Sequence, residues 1–157
     1  MSERFQVPGR PSWRCTIGGL LLAALLVPLA GCGPAGPEVV QIRGKVTYGG
    51  GEWPTSGVLY FTPAEAAPGL PLRPASAKFD TDGSFLVTSF DDGDGLVPGE
   101  YQVGVECWEN PPSMMAGSGP VVSYVPHAFQ SSKSSGLEVT VNPGDRLVEV
   151  TFDVPKK

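Results

Sequence analysis

The sequence predicts an all-β domain, an antiparallel sandwich of seven strands, and three observations predict it. From Val39 onward the apolar residues recur at every second position, which is the period of a half-buried strand. The periodic runs are short and are separated by Gly, Pro and Asp, residues that turn a chain tightly. No stretch after residue 32 has the three-to-four-residue apolar spacing of an amphipathic helix.

The strands follow in order. In "VVQIRGKVTY" Val40, Ile42, Val46 and Tyr48 share one face, with Gln41, Arg43, Lys45 and Thr47 on the other. "GVLYFTP" aligns Leu59 with Phe61, and a weaker strand follows at "ASAKF". "SFLVTS" aligns Phe85 with Val87. "EYQVGVECW" sets Tyr101, Val103, Val105 and Cys107 against Gln102, Glu106 and Trp108. "GLEVTV" aligns Leu137, Val139 and Val141, and "LVEVTFDV" aligns Val148, Val150, Phe152 and Val154. "TDG" between "AKF" and "SFLV" is a hairpin signal. "YGGGEW" and "DDGDGLVPG" read as further turns; the former lacks the Lys-Ser/Thr of a phosphate-binding loop. Two stretches lose the rhythm. "AEAAPGLPLRPA", Ala64 to Ala75, holds too much proline for a strand and is expected to be a loop. Glu109 to Ser135 is the longest irregular region. Loops of that length in small domains are often functional. Its apolar residues Met114, Met115, Val121, Val122 and Tyr124 either fold back over an open end of the sandwich or form the expected partner surface.

The N-terminus has a different character. Arg4, Arg10 and Arg14 outweigh Glu3, and the apolar run "IGGLLLAALLVPLAG" follows from Ile17. A basic start, an apolar stretch of roughly 15 residues and a small-residue end make a secretory signal peptide. A membrane-spanning helix would need ~20 apolar residues. The run closes on "LAGC", Leu29 to Cys32, which resembles the bacterial lipobox. That resemblance implies cleavage between Gly31 and Cys32 and a diacylglycerol thioether on the Cys32 sulfur. The expected organisation is a signal peptide over residues 1–31, a lipidated Cys with a Gly/Pro tether over 32–38, and the β-domain over 39–157. Membrane lipid is the expected partner of Cys32, since two or three acyl chains anchor stably at roughly 0.8 kcal/mol per buried methylene. The protein is then exported and held on the periplasmic or outer face of the cell envelope.

Charge and cysteine usage agree with this plan. The chain carries a net charge of −5. Losing three Arg and one Glu with the signal leaves about −7. No basic patch interrupts that acidity, which argues against nucleic acid as a partner. Cys15 leaves with the signal and Cys32 is acylated, so Cys107 remains as a single thiol and no intrachain disulfide is expected.

Five aspartates, Asp80, Asp82, Asp91, Asp92 and Asp94, raise the question of calcium. An EF-hand loop needs ligands at positions 1, 3 and 5, Gly at 6 and Glu at 12. With Gly83 at position 6, Lys78 and Ser89 occupy positions 1 and 12; with Gly95 there, Phe90 and Tyr101 do. Both registers fail, and polar turns are the expectation. A calcium site of another kind requires these loops to converge in space. His127 is the single histidine, which excludes a site of several imidazoles and a two-histidine metalloprotease helix. No "GxSxG" occurs, and Cys107 has no basic neighbour to depress its pKa. No catalytic activity and no cofactor are expected. Trp53, Trp108 and Tyr124 fall at strand ends or in loops. They either pack over the ends of the sandwich or stand exposed, where they would stack on sugars.

"IRGKVTYGGGEWPTSGVLYFTP", "AKFDTDGSFLVT" and "GLVPGEYQVGV", followed by "SSGLEVTVNPGDRLVEVTFDV", resemble the carboxypeptidase regulatory-like or transthyretin-like domain over nearly all of residues 39–154. With the lipobox, the chain is similar to small envelope lipoproteins of planctomycete bacteria. The resemblance implies a seven-stranded Greek-key sandwich that is accessory to catalysis elsewhere and carries no catalytic residues of its own. "GEWPTSG" and "VPHAFQSSKSSG" depart from the family pattern. The function expected is a lipid-anchored envelope lipoprotein with a non-catalytic binding or structural role, its partner an envelope protein or glycan. The alternatives are a carbohydrate-binding module and a calcium-dependent adhesion module.

Overall fold

A computed structural model describes residues 36–113 and 119–157. The expected signal peptide with Gly31, the expected lipidated Cys32, and Met114 and Met115 of the expected partner surface lie outside the described residues. The strands are β1 Gln41–Tyr48, β2 Gly57–Ala66, β3 Ala75–Phe79, β4 Ser84–Leu86, β5 Gly99–Glu106, β6 Trp108–Asn110, β7 Val122–Ser123, β8 Glu138–Val141 and β9 Leu147–Val154. Two single turns of helix, α1 His127–Gln130 and α2 Ser132–Ser135, precede β8. Seven strands form one sheet in the order β8-β5-β2-β3-β4-β1-β9, while β6 and β7 pair separately. No helix among the described residues is long and apolar enough to cross a membrane.

All seven periodic segments are strands of this sheet, and their alternation marks the core. Ile42, Val46, Leu59, Phe61, Phe85, Val87, Val103, Val105, Val139, Val141, Phe152 and Val154 are buried. Each large apolar side chain withdrawn from water contributes roughly 1.5–3 kcal/mol. Tyr48, Leu137, Val148 and Val150 are half-buried against the same core.

The sheet is mixed, not antiparallel as expected. β9 runs parallel to β1 along its whole length, from Gln41 opposite Leu147 to Tyr48 opposite Val154. A period of two fixes which face a residue occupies and says nothing about strand direction. The edge strands β8 and β9 are joined by residues 142–146 alone. Such a connection spans at most about 20 Å, so the sheet curls until its two edges approach each other.

Three boundaries differ from the expectation. β2 continues through Pro63 to Ala66, and its register against β5 shifts between Pro63 and Glu65. Proline is tolerated at such a bulge, where the ladder already lacks a bond. The strand read through Trp108 breaks at Cys107, and β6 begins after it. The region Glu109–Ser135 is less irregular than expected, since β6, β7, α1 and α2 occupy part of it. The helical turns lie on β5: the Ser135 hydroxyl donates to the Val103 carbonyl at 2.6 Å. Gly104 permits this approach, since a Cβ there would come within 3.0 Å of the Ser132 nitrogen.

The sheet has two ends. At the proximal end β1 begins, with the 67–74 loop, the 87–98 loop and the β8–β9 turn around it. At the distal end β1 finishes, with the β1–β2 and β3–β4 connections and the β6–β7 hairpin. An eight-residue strand separates the two ends by roughly 25 Å.

Candidate functional site

The distal end is closed by aromatics. Gly49 and Gly50, both at positive φ, reverse the chain after β1 in a tight two-residue turn, which brings Trp53 back over the core. Its indole nitrogen donates to the Val46 carbonyl at 2.9 Å. Its ring stacks on Tyr48 and tilts against Phe79, at 4.9 Å in each case. Trp53 is 3% exposed, so it packs over the end of the sheet and presents no face to a sugar, whereas Trp108 and Tyr124 are half-buried.

Beside this plug lies a groove of about 460 Å³ on the outer face of the sheet, with Val58, Lys78, Asp80, Glu106 and Trp108 among its walls. Strand pairing gathers them. Val58 of β2 sits opposite Lys78 of β3 on one side and Glu106 of β5 on the other. The Tyr60 hydroxyl donates to Glu106 Oε2 at 3.1 Å, and the Trp108 indole donates to the same oxygen at 3.4 Å. The carboxylate is thus held between two aromatic residues, and Oε1 takes neither bond. Burial, then the Glu106 carboxylate, raise the Tyr60 pKa, so the hydroxyl keeps the proton it donates. Cys107 lies beneath, its thiol 3.6 Å from the Thr55 carbonyl. Burial raises its pKa, the opposite of what a nucleophilic thiol requires.

Of these residues, Trp108 and, for calcium, Asp80 were among the sequence candidates. Tyr60, Lys78 and Glu106 were not. The signal in the sequence is Tyr60, an aromatic on the polar side of its strand, 41% exposed.

The aspartates behave as turn residues. Asp82 Oδ1 accepts from the Ser84 backbone N–H at 3.1 Å and from its hydroxyl at 2.9 Å. Asp94 accepts the backbone N–H of Ser89 at 2.7 Å, of Phe90 at 3.0 Å and of Asp91 at 3.1 Å. Burial works to raise the Asp94 pKa, but these backbone bonds outweigh it and the net shift is downward. The Asp82 pKa is lowered too, first by its bond to the Ser84 backbone. Asp80 and Asp82 sit in the distal β3–β4 turn, while Asp91, Asp92 and Asp94 sit in the proximal loop. An extended run of roughly 15 Å lies between them. Among the described residues no three carboxylate, imidazole or thiol groups gather as a metal ion would need.

The described part of the expected partner surface is divided. Val121 is 54% exposed. Val122 is half-buried in β7. Tyr124 packs on the core, and its carbonyl accepts from the Tyr48 hydroxyl at 3.2 Å. His127 is exposed on α1.

No protein-family model matches the chain, and no curated protein and no solved structure matches it either.

Proposed function

We propose that this chain is an exported, lipid-anchored envelope protein whose β-domain is a non-catalytic binding module. The observation that carries the reading is "LAGC" at Leu29–Cys32 behind a basic start and an apolar run. Chain order adds an orientation. Val40 exchanges backbone hydrogen bonds with Leu96 at 2.7 and 2.9 Å, so the chain joins the sheet within eight residues of Cys32. It joins at the proximal end, and the groove is at the distal end. Acyl chains on Cys32 would keep the proximal end near the bilayer and leave the groove facing away from it.

The carboxypeptidase regulatory-like, Greek-key reading of the domain belongs to the same proposal. It is supported by the seven strands and by Tyr101, whose buried hydroxyl donates to the Val97 carbonyl at 2.8 Å. A tyrosine that bonds back to the preceding corner recurs in Greek-key sandwiches. It gives "PGEY" a physical reason. Of the narrower alternatives, Trp108 beside Glu106 favours a glycan, whereas the separated aspartates leave calcium without a gathered ligand set among the described residues. The test is Cys32→Ser in the native host. The variant is expected to accumulate uncleaved and without acyl label. Normal processing and acylation of that variant would refute the anchor.

A further inference from the structure

We infer that the outer face of the sheet binds a neutral linear oligosaccharide, which rests on the binding-module reading and narrows it. The groove at Trp108 is not isolated. A second depression, of about 430 Å³, lies on the same face and is lined by Ser76, Lys78, Leu86, Thr88 and Asp92. Lys78 lines both. Between them the two line β5, β2, β3 and β4, which are consecutive in the sheet, and with Lys78 as their shared wall we take them as one trough. Three strand spacings make it roughly 15 Å long, the span of about three pyranose rings.

Its chemistry selects the occupant. At one end Trp108 offers an aromatic edge and Glu106 an acceptor fixed by Tyr60 and Trp108. Along the floor, Ser76, Thr88 and Lys78 offer short donors and acceptors, and Val58 and Leu86 offer apolar patches. Sugars present both apolar C–H faces and hydroxyl edges, so they match this alternation. Asp80, Asp92 and Glu106 outnumber Lys78, which disfavours acidic sugars through like-charge repulsion. The backbone edges of β2 and β3 are paired on both sides, so an extended peptide cannot add to the sheet there.

The experiment uses the full chain in detergent micelles. Oligomers of β-1,4-linked glucose and of N-acetylglucosamine, one to six units long, are titrated by calorimetry and tryptophan fluorescence, with oligogalacturonate as the acidic arm. Affinity is expected to rise with length to about three or four units and then level, and oligogalacturonate is expected to bind at least tenfold more weakly. Trp108→Ala should weaken binding at least tenfold. Val58→Arg, which fills the groove without touching the core, should do the same with an unchanged melting temperature. Failure of every neutral oligomer to bind, or undiminished binding by both variants, overturns the inference. So does binding of an unstructured peptide pool at this face with no binding of sugar. None of these outcomes touches the processing test at Cys32, so the anchor and the ligand class fail separately.

Discussion

Two carboxylates, Asp94 at the proximal end of the sheet and Glu106 at the distal end, are held in opposite ways. At the proximal end carboxylates serve the backbone: Asp94 holds three consecutive N–H groups that no strand satisfies. At the distal end the Glu106 carboxylate is held by side chains, Tyr60 and Trp108, which both donate to its Oε2. A carboxylate surrounded by backbone donors fixes a loop. A carboxylate between aromatic side chains at a groove fixes those side chains rather than a loop, and the proposed glycan would meet it there.

The sharpest way to break this contrast lies within the distal end itself. Trp53→Ala removes the aromatic plug and should cost about 4 kcal/mol of stability. Trp108→Ala, at a half-buried position, should cost clearly less, about 1–2 kcal/mol. Urea unfolding of the two variants checks this, and equal losses would erase the distinction between plug and platform.

The proximal end is tested next through glycine. A Cβ on Gly95, at φ +106°, would stand 1.8 Å from the Val40 carbonyl oxygen, while one on Gly144, at φ +88°, meets open space. Gly95→Ala must disrupt the paired bonds between Val40 and Leu96 as well as strain the backbone, at about 3 kcal/mol in all. Gly144→Ala carries only the left-handed strain, about 1 kcal/mol. Melting temperatures of the pair should therefore separate by several degrees.

The smallest effect concerns pH. Because the folded-state pKa of Asp94 is lowered, its contribution is fully present above the ordinary aspartate value of about 3.9. It is lost as pH falls through the lowered folded value. Asp94→Asn should cost about 1 kcal/mol at neutral pH and flatten the fall in melting temperature between about pH 4 and pH 2. An unaltered acid limb would show that the carboxylate does not hold the loop.

The strands were legible because burial on one face imprints a period of two, and Val40–Tyr48 or Leu147–Val154 display it without interruption. Where alternation stops, legibility stops. The sequence places Trp53 after a glycine turn and cannot tell a plug from an exposed platform, since that depends on how tightly the turn folds back. The trough was hidden for another reason. Tyr60, Lys78 and Glu106 are far apart in the chain, and only the register of β2 against its two neighbours sets them side by side. The parallel course of β9 was equally out of reach, because direction depends on how the chain travels between strands. The aspartate turns were read correctly in kind, since Gly83 and Gly95 supply the positive φ that those turns require.

That parallel pairing also sets an order of events. Among the described strands β1 comes first in the chain and β9 last, and Arg43 pairs with Glu149 across 106 positions of sequence. Contacts so distant form late, because the loop they close must first be ordered. β1 can meet β4 early, but its other edge stays bare until β9 arrives. The sheet is therefore finished only after β9 has reached β1.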